Sequence, residues 1–366
     1  MKVQIPFEKF KKEISRGINA CMKIGQNQQL KGIFLDAADN TLTIRATNID
    51  IGFESTINCK VETEGKFLIA GDVLGRLLGN INSKNTSICF IEVSENLCTI
   101  NIETHSFKLK TLNFENFPNL PKVTGVDISV DSKVFLGGLR SVLYSVAKSE
   151  IKPEISGVYI KFEKNNIFFV ATDAYRLTEK KATVEEEHAD IGLIIPEKNV
   201  KDILRILENE ESGKIRLTIS KNSLELKKDN TYLVSRLVDG VFPNYNQIVP
   251  TNPVSYAIFL KDDLVKSLKI VSFFSDKTQQ INLNIESANT KIEASNSDVG
   301  STTETLDSTL KGESFSVKLN SRYLEEFLQN TNDQSVVLKY TAQNKAIIVQ
   351  GIQDNSYTYL IMPSYR

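Results

Sequence analysis

Pairs of short apolar runs, each pair divided by a polar interval, recur three times along this chain. Val158 to Phe162 and Ile167 to Val170 flank the polar stretch Glu163 to Asn166, so the pattern predicts two strands joined by a turn. Earlier, Gly32 to Leu35 leads through Asp39-Asn40 into Leu42 to Asn48; later, Ile281 to Ile285 leads into Lys291 to Asn296. These copies align Thr47, Thr172 and Ser295, with 125 residues separating the first two and 123 the last two. Self-similarity at that spacing predicts three modules of one design.

Helical spacing supplies the rest of each module. Phe7, Phe10, Ile14 and Ile18 form an apolar stripe with Lys9, Lys12 and Arg16 on the polar face. A second helix carries Val73, Leu74, Leu77, Leu78 and Ile81, with Asp72 placed to cap it. The next module repeats the order: Ser132 is placed to cap a helix bearing Val134, Phe135, Leu139 and Val142, with Lys133, Arg140 and Lys148 outside the stripe. Leu193 to Pro196 then introduces Val200, Ile203, Leu204 and Leu207. In the third module Leu260, Leu264, Leu268 and Val271 leave Lys261, Lys266 and Lys269 to solvent, and Phe315 to Leu319 precedes Tyr323 to Leu328. The polar interval Ser295 to Ser308 reads as a loop with strand edges. Aromatic and proline segments at Phe114 to Pro121 and Gly240 to Pro250 favour connections. The expected modules are residues 1–122, 123–250 and 251–366, each a sheet packed on two helices, an α+β arrangement.

Composition narrows the class without redirecting it. A hydrophobic content of 41% over 366 residues supports modules with their own cores. The chain has no apolar run of bilayer length, and Met1 to Pro6 lacks the apolar core of a secretory signal, so the expectation is a cytoplasmic protein without a membrane partner. Cys21, Cys59, Cys89 and Cys98 lack close ligand spacing, and the two histidines, His105 and His188, do not match them; reduced structural thiols are expected. A formal net charge of −1 still permits a local basic surface.

Three tracts carry a family resemblance. Ala171-Thr172-Asp173-Ala174-Tyr175-Arg176-Leu177 comes first, then Leu237-Val238-Asp239-Gly240 leading into Phe242-Pro243-Asn244-Tyr245, then Tyr359-Leu360-Ile361-Met362-Pro363. In this order and over this length they resemble the bacterial DNA polymerase III beta subunit family, the DNA sliding clamps, across essentially Met1 to Arg366. The resemblance implies a three-module DNA clamp fold assembled as a head-to-tail homodimeric ring, with inner helices and outer sheets. It implies a processivity factor that encircles and slides on duplex DNA without sequence specificity, as a non-catalytic subunit of the polymerase III holoenzyme. Association with the nucleoid and replication forks is expected, with no cofactor and no metal. Expected partners are the polymerase III catalytic subunit, the clamp loader, repair polymerases and other proteins with clamp-binding peptides.

The resemblance also assigns residues. Thr172, Ala174, Tyr175, Arg176 and Leu177 are expected beside a peptide-binding cleft, with Ile155, Pro243, Gln247 and Ile248 continuing its wall. Asn320 and Tyr323 match its rim, while Ala346, Ile348, Leu360, Met362 and Pro363 line it. Tyr175 stands where the family often has histidine, Ala174 where it has glycine, and Gln247 where a cation is common; the ending Pro363-Ser364-Tyr365-Arg366 also departs from the family's. A diffuse positive channel for DNA is expected from Lys9, Lys12, Arg16, Lys133, Arg140, Lys148, Lys152, Lys198, Lys201, Arg205, Lys261, Lys266 and Lys269. Phe107 and Leu109 are expected to meet Phe273 and Phe274 of a second copy at the dimer seam; packing inside one chain is the alternative for these four.

An enzyme is the competing class. Asp36, Asp39 and Asp50 are conceivable metal carboxylates and Asp173 a conceivable base, but Asp39-Asn40 has turn composition and Asp173 has no nucleophile or acid in its pattern. Gly71 to Gly79 does not fit a phosphate loop. A repeat protein with a purely structural role is the other alternative, and specific binding of a polymerase peptide separates it from a clamp.

Overall fold

Phe7, Phe10 and Ile14 recur at helical spacing directly after Pro6, and they form the buried face of α1 (Phe7–Ile18). Pro6 precedes the helix with φ −58°, a conformation its ring imposes without sacrificing an intrahelical donor. The computed structural model describes residues 1–82, 84, 86–149, 151–208, 210 and 212–364, with backbone alone at 186, 188 and 189. The departures at Tyr365 and Arg366 lie outside the described residues. The other α-helices described are α2 (Gly71–Gly79), α3 (Ser132–Val142), α4 (Glu197–Ile206), α5 (Lys261–Ser272) and α6 (Ser321–Asn330). Each of the six starts at the residue that follows a strand, so one strand-to-helix unit is used six times.

The chain divides into two compact units, Met1–Leu136 with Ile195–Asp239, and Gly137–Ile194 with Gly240–Arg366. In the first, thirteen strands form one sheet. Its continuity depends on Thr231–Arg236 pairing antiparallel with Ile51–Asn58, Ser235 opposite Ile51 and Val234 opposite Gly52. Phe7, Phe10 and Phe53 are completely buried here, each worth roughly 1.5–3 kcal/mol relative to exposure.

The second unit holds a seven-stranded sheet and a four-stranded sheet. In the larger, Arg176–Pro196 pairs antiparallel with Tyr357–Ile361, Arg176 opposite Ile361 and Leu177 opposite Leu360. Phe327 of α6 stacks on Tyr359 at 5.2 Å and on Tyr357 at 5.5 Å, tying the helix to that strand. Strands of neighbouring expected modules therefore share one sheet, which leaves fewer backbone edges open than separate sheets would.

Four local expectations change. Gly157–Thr172 is a continuous strand through Glu163 to Asn166, where only Lys164 takes a left-handed φ, of 52°. Gly300–Asp307, inside the interval read as a loop, is a strand paired along Asn289–Asn296. Asp72 lies within the first turn of α2 and pairs with Arg76 at 2.9 Å instead of capping. At α3 it is Asp131, not Ser132, whose carboxylate accepts the Val134 amide, at 3.0 Å; the Ser132 hydroxyl is buried without a partner.

Candidate functional site

The stretch from Thr172 to Leu177 turns on side-chain hydrogen bonds. The Thr172 hydroxyl donates to the Arg176 carbonyl at 2.6 Å and accepts the Ala174 amide at 3.1 Å, while Asp173 Oδ1 accepts the amides of Tyr175 and Arg176 at 3.0 Å each. Short polar side chains favour such turns because they replace a backbone partner within two residues. Ala174 is held at φ 76°, a conformation natural to glycine. The turn is repeated at Thr47: its hydroxyl donates to the Ile51 carbonyl at 2.8 Å and accepts the Ile49 amide at 3.0 Å. Asn48 Oδ1 accepts the amides of Asp50 and Ile51, both at 3.0 Å, and Ile49 has φ 82°. At the third copy Asn296 Oδ1 accepts the Asp298 amide at 2.9 Å.

Arg176 is the anchor of the central turn. It is 6% exposed and donates to Asp173 Oδ2 at 2.9 Å, to the Tyr144 carbonyl at 2.7 Å and to the Glu326 carboxylate. Its guanidinium lies 4.6 Å from the Tyr323 ring centre and 5.5 Å from that of Tyr144. Burial alone would lower its pKa, yet Tyr359, Glu326 and Asp173 hold it above the ordinary value. Burial would likewise raise the Glu326 carboxyl, but hydrogen bonds from Arg176 and Arg322 keep it below the usual carboxylate range. Arg176 is thus committed to the chain itself and shapes the site from beneath.

Leu177, Leu360 and Ile348 stand opposite one another across three neighbouring strands, so their side chains form one apolar row. Leu177 and Leu360 are each 2% exposed, and Ile348, Ile155 and Ala346 are also buried. Tyr175, Ile248 and Met362 are exposed apolar residues, as are Ala174 and Pro243. The Met362 amide donates to the Tyr175 carbonyl at 2.8 Å, setting those two side by side. Pro243, Gln247 and Ile248 come to the strand of Leu177 through Tyr245, whose hydroxyl donates to Glu179 at 2.5 Å, while the Phe242 ring stacks at 4.6 Å on Tyr159 of the neighbouring strand Gly157–Thr172. Pro243 also lines a cavity of about 340 Å³ with Tyr159, Glu179 and Tyr245. Asn320 caps α6, accepting the Tyr323 amide at 3.4 Å, and Pro363 is half-buried. Sequence reasoning missed Tyr144 and Glu326, which lock Arg176; no motif marks them, because their role depends on pairing across 32 and 150 residues.

The cationic positions differ in availability. In the first unit Lys9, Lys133 and Lys198 are exposed. Lys12 pairs with Glu210 at 2.6 Å, Lys201 with Glu197 at 2.6 Å and Arg205 with Asp202 at 3.4 Å, all with an exposed cation. Arg16 is the correction: it is 8% exposed, bonded to Glu13 and to the Ile206 carbonyl at 2.8 Å, and so joins α1 to α4 instead of facing a ligand. In the second unit Arg140, Lys148, Lys152 and Lys269 are exposed, Lys266 pairs with Asp263 at 3.2 Å, and Lys261 donates to the Thr331 carbonyl at 2.7 Å.

Phe107 and Leu109 are half-buried on the strand His105–Leu112, and Phe107 borders an apolar groove of about 500 Å³ with Val73, Leu77 and Ile81. In the second unit Phe273 is 77% exposed, whereas Phe274 packs against the core. The competing carboxylates are ordinary: Asp36 pairs with Lys66 at 2.9 Å, and Asp39 and Asn40 form a left-handed turn. Burial pushes the thiols of Cys21, Cys89 and Cys98 up to about 12, which keeps them protonated. Among the described residues no helix is long and apolar enough to cross a membrane.

Comparison with known proteins places these features in one context. The family described as DNA polymerase III beta subunit matches in three consecutive parts: its N-terminal domain at residues 1–121, its central domain at 129–244 and its C-terminal domain at 246–365. A beta sliding clamp of Treponema pallidum (strain Nichols) is 27% identical over 99% of both chains. One of Synechococcus elongatus is 23% identical over 90% of this chain and 89% of its own. Among solved structures, the DNA polymerase III beta subunit of Thermotoga maritima superposes with a TM-score of 0.94 at 21% identity, covering 100% of this chain and 99% of its own. The sliding clamp of Pseudomonas aeruginosa bound to griselimycin gives a TM-score of 0.94 at 18% identity, with both chains covered completely.

Proposed function

We propose, from the premise that the chain belongs to the DNA polymerase III beta subunit family, that two copies close head to tail into a ring around duplex DNA. The chain is a sliding clamp, a non-catalytic processivity factor that tethers other proteins to DNA. Its modules are residues 1–122, 123–250 and 251–366, with helices toward the DNA and sheets outside. Exposed cations on the helices, led by Lys9, Lys133, Arg140, Lys198 and Lys269, attract phosphates without reading bases, so the ring slides. Enclosure, not adhesion, keeps it on the duplex. Phe273 of one copy enters the groove beside Phe107 of the other, which covers an exposed aromatic at the seam.

The buried row Leu177, Leu360 and Ile348 as a floor, with Tyr175 and Met362 exposed at its edge and exposed Ile248 on the segment that Tyr245 ties to the same strand, carries the second half of the proposal. It is a cleft for short, partly apolar peptides of the polymerase III catalytic subunit, the clamp loader and repair polymerases. Arg176 and Asn320 position the cleft, and Gln247 leaves it without the cation common in the family. The protein works in the cytoplasm at the nucleoid and replication forks, within the polymerase III holoenzyme. Griselimycin supplies the test: the folded chain should bind it, and Ile248→Ala or Met362→Ala should weaken binding while thermal unfolding is preserved. No binding by the folded wild-type chain would refute the cleft.

A further inference from the structure

The turn beneath the cleft has a twin in the first unit, and the twin is covered by the chain itself. Thr47 to Ile51 repeats the hydrogen bonds of Thr172 to Arg176 and the left-handed third residue. The strand register repeats too: Val234 faces Gly52 as Leu360 faces Leu177. The position of Leu177 is therefore held by a residue without a side chain. Leu120 fills that space, since a Cβ added at Gly52 would stand 2.5 Å from Leu120 Cδ2 and 3.0 Å from Val234 Cγ1.

Leu120 arrives on a connector with neither helix nor strand, between Leu112 and Val126. The connector is held as a bound peptide is held, through a few side chains and backbone groups. Phe117 stacks on Phe34 at 5.2 Å, the Tyr232 hydroxyl donates to the Pro121 carbonyl, and the Val123 amide donates to the Glu225 carboxylate at 3.2 Å. Leu120 is half-buried, unlike the fully buried core residues Leu68 and Leu233. Within the Thr47 turn, exposed Ile49 holds φ 82°, a conformation that β-branched residues adopt only where surrounding structure imposes it.

We propose that the Thr47 turn builds a second peptide-accepting groove, and that residues 117–123 of the same chain are its permanent occupant. Each chain then presents partners with one open cleft instead of two. The inference rests on reading the Thr172 copy as a peptide cleft.

The test uses the full-length protein and a synthetic peptide spanning residues 115–123 as probe. Leu120→Gly should bind one more peptide per chain than the wild type by calorimetry, and the peptide should raise its unfolding midpoint further than it raises the wild type's. A control peptide with glycine in place of leucine should do neither. In a second variant, Gly52→Ala, the added methyl displaces Leu120, so tryptic cleavage after Lys122 should quicken on the order of tenfold with cooperative unfolding retained. Equal stoichiometry in wild type and a folded Leu120→Gly, or unchanged cleavage in Gly52→Ala, overturns the proposal. So does loss of cooperative folding in both variants, which assigns Leu120 to the core. Failure of the cleft reading shows separately, as griselimycin binding by the wild type that is absent or unaffected by Met362→Ala.

Discussion

Met362→Ala should weaken peptide binding modestly and leave folding intact, and the size of the effect follows from exposure. Met362 keeps 36% of its surface open in the free chain, so about one-third of a methionine's burial remains to be gained when a partner covers it. Full burial of such a side chain is worth roughly 1.5–3 kcal/mol, so truncation removes about 0.5–1 kcal/mol of affinity, a two- to fivefold rise in Kd. Leu177 and Leu360 offer no such separation. At 2% exposure each, their truncation is charged to the fold at about 2–5 kcal/mol. The bond from the Met362 amide to the Tyr175 carbonyl is a backbone contact and survives the change. Griselimycin titration by calorimetry, paired with thermal unfolding and sedimentation of the same preparation, reads all three consequences. Unchanged affinity with preserved unfolding would refute the assignment, and so would loss of the fold, which would make Met362 a core residue.

Three further outcomes follow from the same geometry. Ala174→Gly should stabilise the protein by about 0.5–1 kcal/mol in denaturant titration, because glycine accepts φ 76° without the cost borne by alanine. Glu326 has a depressed carboxyl pKa in the folded state, so its stabilising effect is complete above the unfolded glutamate value of about 4.3 and is lost as pH falls through the lower folded value. Glu326→Gln should therefore flatten the acid limb of a stability-versus-pH curve below about pH 5, and an unchanged limb would remove Glu326 from the Arg176 cluster. Lys9→Ala with Lys198→Ala should weaken low-salt DNA association and reduce the salt slope by about one for each phosphate no longer neutralised, while griselimycin affinity stays unchanged.

Most of this architecture was legible because it depends on short periods. The stripe Phe7, Phe10, Ile14 is a helix wherever it is packed, and the spacing of Thr47 and Thr172 marks one repeated turn, of which the copy at Ser295 keeps the Asn296 bond to the amide two residues on. The strand Gly300–Asp307 was illegible because Leu306 alone is buried in it; its threonines were the available signal, and their β preference is weak without an apolar face. Arg16 shows the opposite failure. Its position on the polar side of α1 predicts exposure, but Glu13 and the Ile206 carbonyl draw it into the contact with α4. Local patterning cannot encode an acceptor 190 residues away. Leu120 failed for a related reason, because a proline-flanked leucine reads as part of a connection, and only the absent side chain of Gly52 gives it a place to go.

Retention on circular DNA tests the central claim most directly. The purified protein, loaded on a nicked circular duplex by a clamp loader, should remain bound through gel filtration at a salt concentration that screens the lysine contacts. Cutting the circle once should release it from the end. Equal escape from closed and linear DNA in the same salt would contradict a ring that holds by enclosure.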